Sequence, residues 1–217
     1  MGAEMMHSSV GRKFLGFIAV FALLLCGASA QAALLNTGNT LFPVPGEADP
    51  VGGVVVGTLT TPFAVPGFFT GSITTNVIRG DTTNPNGANA LTFTYKLNNA
   101  AASPNAIARV TLDTFTGFTT DVSYQTPASG VIPTLADRLA ANVVGFSYNG
   151  IGAGPIFPGT SSALMVVQTN ATLFGAGLAN IIDSGAITVA TLGPVVPEPT
   201  ALGVLVLAGG ALLRRRA

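Results

Sequence analysis

The chain has 217 residues, of which only 9 are Lys or Arg and 9 are Asp or Glu, so its formal net charge is zero. So few cations cannot neutralise a row of phosphates, which excludes nucleic-acid binding driven by electrostatics. Apolar residues make up 48% of the chain, enough for a hydrophobic core, while 27 Gly and 14 Pro favour short strands and turns over long helices.

The first element is a predicted secretory signal peptide, residues 1–32. Arg12 and Lys13 precede an uncharged apolar run over residues 14–26, and small residues follow that run. This order is typical of a cleaved export signal, and the run is shorter than the ~20 residues of a membrane span, which disfavours the alternative of an N-terminal anchor. We expect cleavage after Ala32, with Ala30 as the alternative site. The Sec export machinery and signal peptidase are therefore expected partners.

Cleavage at either position removes His7 and Cys26, the only histidine and the only cysteine of the chain. Their removal excludes Cys nucleophiles, Ser-His-Asp triads, disulfides and zinc sites built from His or Cys. The predicted body, residues 33–194, must therefore be held together by ordinary burial of apolar side chains.

The body is predicted to consist of short strands. Residues 91–97 alternate between apolar and polar side chains, as in a strand with one buried face, and residues 69–78 show the same pattern. Further β-rich runs, separated by turn sequences, lie at 54–61, 106–112, 143–148, 162–169 and 186–191. The side chains expected in one common core are Phe93, Tyr95, Phe118, Phe146 and Val166.

Only residues 135–144 have a helical pattern, with Thr134 as a candidate N-cap and Asp137 in the first turn. Seven to nine strands without alternating helices predict an all-β fold, an antiparallel β-sandwich of jelly-roll or immunoglobulin-like type. A β-solenoid is the alternative, although the chain has no repeat of fixed period. An N-terminal signal helix and a short C-terminal transmembrane helix are expected to flank the sandwich.

Acidic side chains are the remaining candidates for catalysis, since the body lacks His and Cys and contains seven acidic and four basic residues. Glu47 with Asp49, or Asp113 with Asp121, could supply the two carboxylates of a glycosidase. The body has neither a Trp to hold a sugar nor a His. We expect Asp113, Asp121 and Asp137 to cap strand ends or turns by accepting backbone hydrogen bonds. The body is therefore predicted to be noncatalytic, with no catalytic, cofactor-binding or metal residue assigned.

One loop of the body offers oxygen ligands of the kind that calcium prefers, from Asp81, Asn84, Asn86 and Asn89. Their spacing differs from that of an EF-hand. Asn-rich loops also form turns, so the sequence is compatible both with calcium binding by residues 81–89 and with a simple turn.

The C-terminal tail, residues 195–217, has three parts: a short acidic and proline-containing motif, an uncharged apolar run over residues 201–213, and an arginine cluster. As a helix the apolar run would be ~20 Å long, shorter than a ~30 Å hydrocarbon core. It is therefore predicted to be a transient membrane anchor with a cytoplasmic basic stop. The motif residues are Pro197, Glu198 and Pro199, and the stop residues are Arg214, Arg215 and Arg216.

This tripartite tail resembles the PEP-CTERM sorting signal of exported bacterial proteins. The resemblance covers about the last 20 residues and includes all three parts in order. It implies recognition by an exosortase, a membrane-embedded cysteine peptidase, with cleavage near the Pro-Glu-Pro motif. It also implies a Gram-negative-type bacterium that makes exopolysaccharide. An ordinary single-pass anchor is the alternative.

The sequence thus predicts an exported, noncatalytic cell-surface or extracellular-matrix protein. Its precursor would be anchored in the inner membrane by a single C-terminal span, and its mature form would lie at the cell envelope, at the surface or in the matrix. The alternative is a carbohydrate-binding or adhesive β-sandwich in the exopolysaccharide layer that binds glycans through exposed Phe or Tyr. The absence of Trp disfavours this alternative, because large aromatic faces are the usual sugar platforms.

Overall fold

A computed structural model describes residues 32–149 and 154–196 of the chain. Within these ranges the protein is all-β, as predicted, with thirteen strands and no helix. The expected signal helix and transmembrane helix lie outside the described residues. The strands are β1 (Ala33–Leu34), β2 (Thr40–Leu41), β3 (Gly46–Glu47), β4 (Val54–Val65), β5 (Phe69–Arg79), β6 (Leu91–Asn99), β7 (Arg109–Leu112), β8 (Thr120–Gln125), β9 (Leu135–Asp137), β10 (Val144–Ser147), β11 (Met165–Thr169), β12 (Phe174–Ile182) and β13 (Ala186–Pro194).

The strands form two antiparallel sheets that pack face to face. The seven-stranded sheet has the order β1-β8-β11-β6-β5-β4, with β3 added in parallel alongside β8. The six-stranded sheet has the order β13-β12-β7-β10-β9-β2. Two hydrogen bonds join the sheets directly, from Tyr95 Oη to the Leu192 carbonyl (2.9 Å) and from Thr61 Oγ1 to the Ala190 carbonyl (2.8 Å).

The hydrophobic core lies between the two sheets and is built from the alternate, inward-facing residues of the central strands. Phe93, Tyr95 and Phe146 are fully buried in it, as predicted. Phe118 was wrongly placed there. It follows a turn at Gly117 and is only half-buried, and the neighbouring Phe115 fills the core instead.

A second buried layer covers the outer face of the seven-stranded sheet. Val166 is fully buried, but it belongs to this layer and not to the predicted core, because it alternates with the inward-facing Met165 and Val167. Thr92 and Thr94 of β6 are buried on the same outer face. The prediction of a strand at 91–97 is confirmed, but its polar face is covered rather than solvated.

The helix predicted at 135–144 is wrong. Residues 135–137 form β9, which pairs with β10 and β2, and the residues before β10 form turns. Thr134 is not an N-cap, because its N–H and its hydroxyl both donate to the Ser147 carbonyl. Pairing with two strands and burial of Ala136 outweigh a weak local helical pattern.

The count of seven to nine strands was too low for the described residues. The predicted runs at 54–61, 69–78 and 186–191 lie within β4, β5 and β13, and the other runs overlap β7, β10 and β11. The strand β12 was missed because its sequence is rich in Gly and Ala, which have low β-propensity. Across the described ranges, no helix has the length and apolar character needed to cross a membrane.

Candidate functional site

The main concentration of polar side chains lies on the outer face of the seven-stranded sheet, and we call it the polar layer. Two segments fold over this face, residues 45–51 before β4 and residues 80–87 between β5 and β6. They are joined by hydrogen bonds from the Thr82 N–H and hydroxyl to the Val51 carbonyl. The members of the polar layer are Glu47, Asp49, Asp81, Thr83, Asn84, Asn86, Thr92, Asp121, Ser123 and Gln168.

Asp81 is the centre of the polar layer and is 1% exposed. Its Oδ1 accepts hydrogen bonds from the Val51 N–H (3.0 Å), the Thr83 N–H (3.1 Å) and the Thr83 hydroxyl (2.6 Å). Its Oδ2 accepts from the Thr92 hydroxyl (2.7 Å) and from Gln168 Nε2 (3.1 Å). Burial alone would raise the pKa of Asp81, but these hydrogen bonds together hold its pKa below the ordinary value. Asp81 is therefore ionised, and its carboxylate links both covering segments to the sheet through hydrogen bonds.

Two further acids lie near Asp81 with the opposite electrostatic behaviour. Burial raises the pKa of Asp49, and the charge of Asp81 raises it further. Burial and the charge of Asp49 raise the pKa of Glu47. The predicted pair of Glu47 and Asp49 is therefore brought together, and the structure adds Asp81 to it.

Asp113 and Asp121, the second predicted carboxylate pair, belong to different sheets. Asp121 lies in β8, where burial raises its pKa and a hydrogen bond with Asn86 lowers it. Asp113 follows β7 in the other sheet, and burial raises its pKa. Within the described ranges, Asp113 Oδ1 is buried without a hydrogen-bond partner, so the expected backbone cap is wrong there.

Asp137 was also expected to cap a turn, and the structure gives it a different role. Its two carboxylate oxygens accept from Nη1 and Nη2 of Arg109 at 2.7 and 2.8 Å. Arg109 also donates to Ser147 Oγ at 2.6 Å, so the ion pair links β7, β9 and β10. Asp137 therefore aligns three neighbouring strands of the six-stranded sheet.

Three of the four side chains proposed for calcium, those of Asp81, Asn84 and Asn86, already use their oxygens in hydrogen bonds. Asn84 Oδ1 accepts from the N–H and the Nδ2 of Asn86 at 2.9 and 3.2 Å, and Asn86 Oδ1 accepts from the Thr119 hydroxyl at 2.9 Å. Asn89 is exposed in the following turn. In the part of the chain that the structure describes, no three Asp, Glu, His or Cys side chains are arranged to hold a metal ion. The loop therefore has the hydrogen bonding of a turn packed on a sheet.

Arg138 is a buried cation that the sequence analysis did not single out. It is 5% exposed, and burial lowers its pKa. Its guanidinium donates to the carbonyls of Phe115 (2.7 Å) and Ala141 (2.9 Å) and to Thr120 Oγ1 (3.0 Å). Because these partners are backbone and hydroxyl oxygens, the pattern of charged residues in the sequence could not reveal it. Arg138 therefore joins the loops that contain Phe115 and Ala141 to the start of β8.

The predicted processing residues lie at or beyond the edges of the described ranges. Ala32 directly precedes β1, whereas Ala30 lies outside the described residues. The sorting motif and the arginine stop also lie outside them. The last described residue, Val196, immediately precedes Pro197.

Raised carboxyl pKa values predict how stability depends on pH. Glu47, Asp49, Asp113 and Asp121 have raised values, so between the ordinary carboxyl pKa and the raised values the folded state binds more protons than the unfolded state. Their contribution to stability is therefore present at low pH and is lost as pH rises above about 4. The lowered pKa of Asp81 acts in the opposite direction, but its contribution is lost only below that range.

We therefore expect a fragment of residues 33–196 to be more stable at pH 5 than at pH 7.5 in urea titrations. Asp49→Asn should reduce the difference, because it removes one of the titrating groups. A stability that rises from pH 5 to 7.5 would contradict this assignment.

Comparison with known proteins identifies no relative. No family model matches the chain, and no curated protein or solved structure matches it. Functional inference therefore rests on the residues of this chain and on their arrangement.

Proposed function

We propose that the protein is an exported, noncatalytic component of the cell surface or extracellular matrix. It would be made as a precursor with a signal peptide and a PEP-CTERM-like tail, held transiently in the inner membrane by a C-terminal transmembrane helix, and cleaved by an exosortase-type peptidase. The mature sandwich would then lie at the cell envelope, at the surface or in an exopolysaccharide matrix.

The observation that carries this proposal is the position of the sandwich between the two predicted cleavage regions. Its first strand begins at Ala33 and its last strand ends at Pro194, followed by a hydrogen bond from the Val195 N–H to the Leu173 carbonyl. Pro197 comes only two residues later. Cleavage after Ala32 and near the Pro-Glu-Pro motif would therefore leave all strands of the described ranges intact, as expected of detachable signals on a finished domain.

Within this proposal we assign the sandwich to the jelly-roll type rather than the immunoglobulin-like type. The path of the chain supports this assignment. The strands β6, β7, β8 and β9 lie alternately in the seven-stranded and the six-stranded sheet, and β10, β11 and β12 alternate between the sheets in the same way. In immunoglobulin-like sandwiches, pairs of consecutive strands repeatedly stay within one sheet, whereas jelly rolls divide two Greek keys between two sheets.

The hydrogen bonding of the acidic residues supports the proposal that the protein is noncatalytic. Asp81 and Asp137 accept hydrogen bonds on both carboxylate oxygens. The body also has no His or Cys for general acid–base or nucleophilic work. The fragment of residues 33–196 should therefore show no hydrolase, transferase or redox turnover. Glycosidase or esterase activity that is lost on substitution of Asp113, Asp121 or Asp137 would overturn this part.

Replacing Glu198 by alanine tests the sorting step. The resemblance assigns recognition to the Pro-Glu-Pro motif, so Glu198→Ala should accumulate as precursor in the membrane fraction of the native host. The neighbouring substitution Thr200→Ala is the matched control and should be processed normally. Immunoblots of membrane and medium fractions measure both variants. Normal release of Glu198→Ala would count against an exosortase-type signal.

A carbohydrate-binding or adhesive module remains the second candidate because of two exposed aromatic rings. Phe157 is 56% and Phe68 is 37% exposed. They lie at the same end of the sandwich, where Asn99 Nδ2 donates to the carbonyls of Ile156 and Asn105, and the Asn105 N–H donates to the Phe68 carbonyl. Glycan-array binding that is lost in Phe157→Ala would favour this candidate over a purely structural role.

A further inference from the structure

One end of the sandwich, which we call the exit end, is where the described chain finishes at Val196. The strands β4, β6 and β12 begin at this end, and β5 and β13 finish there. Hydrogen bonds connect its parts: Val54 pairs with Arg79, Arg79 Nη2 donates to the Thr172 carbonyl (2.8 Å), and the Val195 N–H donates to the Leu173 carbonyl (3.2 Å).

The exit end carries a group of exposed apolar side chains beside the exposed polar turn residues of the β5–β6 loop. Val54 is 68%, Val55 is 54% and Val56 is 41% exposed, and Leu173 (45%) and Val196 (63%) lie across the same end. Val54 and Val55 are consecutive strand residues that point to opposite faces, so both faces of the edge strand β4 are uncovered at its start. Val56 is the extra residue of a β-bulge and is exposed as well. Contiguous exposed apolar surface of this kind usually marks an interaction site.

The charges at the exit end suit a negatively charged surface. Arg79 is exposed beside Val54. The neighbouring carboxylate of Asp81 is withdrawn from solvent, since Asp81 is only 1% exposed. The exit end therefore presents apolar side chains and a cation, the combination that binds the interface of a membrane containing anionic lipids.

The length of the remaining chain limits how far the exit end can lie from a membrane. Only residues 197–200 separate Val196 from the apolar run at 201–213. Four residues span at most ~14 Å even when fully extended. The headgroup region of one leaflet is roughly 5–8 Å thick. A chain whose apolar run is inserted in the bilayer must therefore keep the exit end close to the headgroups.

We propose that the exit end rests on the lipid surface while the C-terminal run is inserted, with Val54, Val55 and Leu173 at the boundary between headgroups and acyl chains and Arg79 against lipid phosphates. This inference rests on the proposed function, because it requires membrane insertion of the tail. Seating the sandwich in this way would hold the Pro-Glu-Pro motif at the membrane surface, within reach of a membrane-embedded peptidase.

Tryptophan fluorescence tests the proposal, because the chain contains no native Trp. The full chain is expressed with its own export signal, and the membrane-bound form is purified and reconstituted in phosphatidylcholine–phosphatidylglycerol vesicles with brominated acyl chains. Leu173→Trp and Val55→Trp report on the exit end. Phe157→Trp, at the opposite end, is the matched control.

We expect bromine to quench most of the emission of Leu173→Trp and Val55→Trp and little of that of Phe157→Trp. Equal quenching at the two ends, or none at the exit end of chains that float with the vesicles, would overturn this inference and leave the proposed function intact. Shielding of the exit-end Trp from acrylamide without bromine quenching would indicate a protein partner, such as a second copy, and would also overturn it. In an expression host that lacks an exosortase, failure to recover any membrane-bound chain that retains Arg214–Arg216 would overturn both proposals.

Discussion

Replacing Phe93 by alanine is expected to lower the free energy of unfolding by about 3–5 kcal/mol, a large part of the stability of a typical domain. Phe93 is fully buried in the central strand β6, between Val77 of β5 and Val167 of β11. Its ring meets that of Phe115 edge to face, with centroids 6.4 Å apart. The alanine variant would leave a cavity that two hydrogen-bonded sheets cannot easily close.

Urea titration of the fragment of residues 33–196 measures this loss. Phe42→Ala is the matched control, because Phe42 is 66% exposed and its removal should cost well under about 1 kcal/mol. A loss below about 1 kcal/mol for Phe93→Ala would indicate that its face of β6 is exposed to solvent. That result would support the alternative fold, a β-solenoid, or a ligand-binding role for this face.

Replacing Asp81 by alanine is expected to lower the free energy of unfolding by roughly 3 kcal/mol or more, because each buried donor left without a partner costs about 1–3 kcal/mol. The donors that would lose their acceptor include the N–H groups of Val51 and Thr83 and the side chains of Thr92 and Gln168. The variant should also loosen both segments that cover the outer face of the sheet.

Urea titration gives the energy, and hydrogen exchange of the Val51 and Thr83 amides reports the local loosening. Asp183→Ala is the control, because Asp183 lies in the β12–β13 hairpin and its carboxylate accepts a hydrogen bond from the adjacent Ser184 hydroxyl. An unchanged stability and unchanged exchange in Asp81→Ala would show that the polar layer does not fasten these segments.

Much of the fold could be predicted from local pattern. The alternation at 69–78 and 91–97 places β5 and β6 correctly, because one face of each strand packs into a common core. The helical pattern at 135–144 failed because it is weak and local, whereas Asp137 is held by Arg109, 28 positions earlier in the chain. Long-range pairing therefore decided the structure of that segment.

The polar layer could be predicted only in fragments. The sequence drew attention to Asp81, Asn84 and Asn86 as one loop and to Glu47 with Asp49 as a pair. The bond between Gln168 and Asp81 joins residues 87 positions apart, so nothing in the local sequence could bring them together. The alternating pattern of β6 predicted that its polar face is exposed to solvent. Thr92 and Thr94 on that face are buried, because another segment of the chain covers them.

The central claim is that both ends of the chain are removable signals on a β-sandwich, and mass spectrometry of the mature protein from the native host tests it most directly. We predict an N-terminus at Ala33, or at Gln31 for the alternative cleavage, and a C-terminus near Pro197–Pro199. Recovery of intact Arg214–Arg216 on most of the secreted protein would contradict the account.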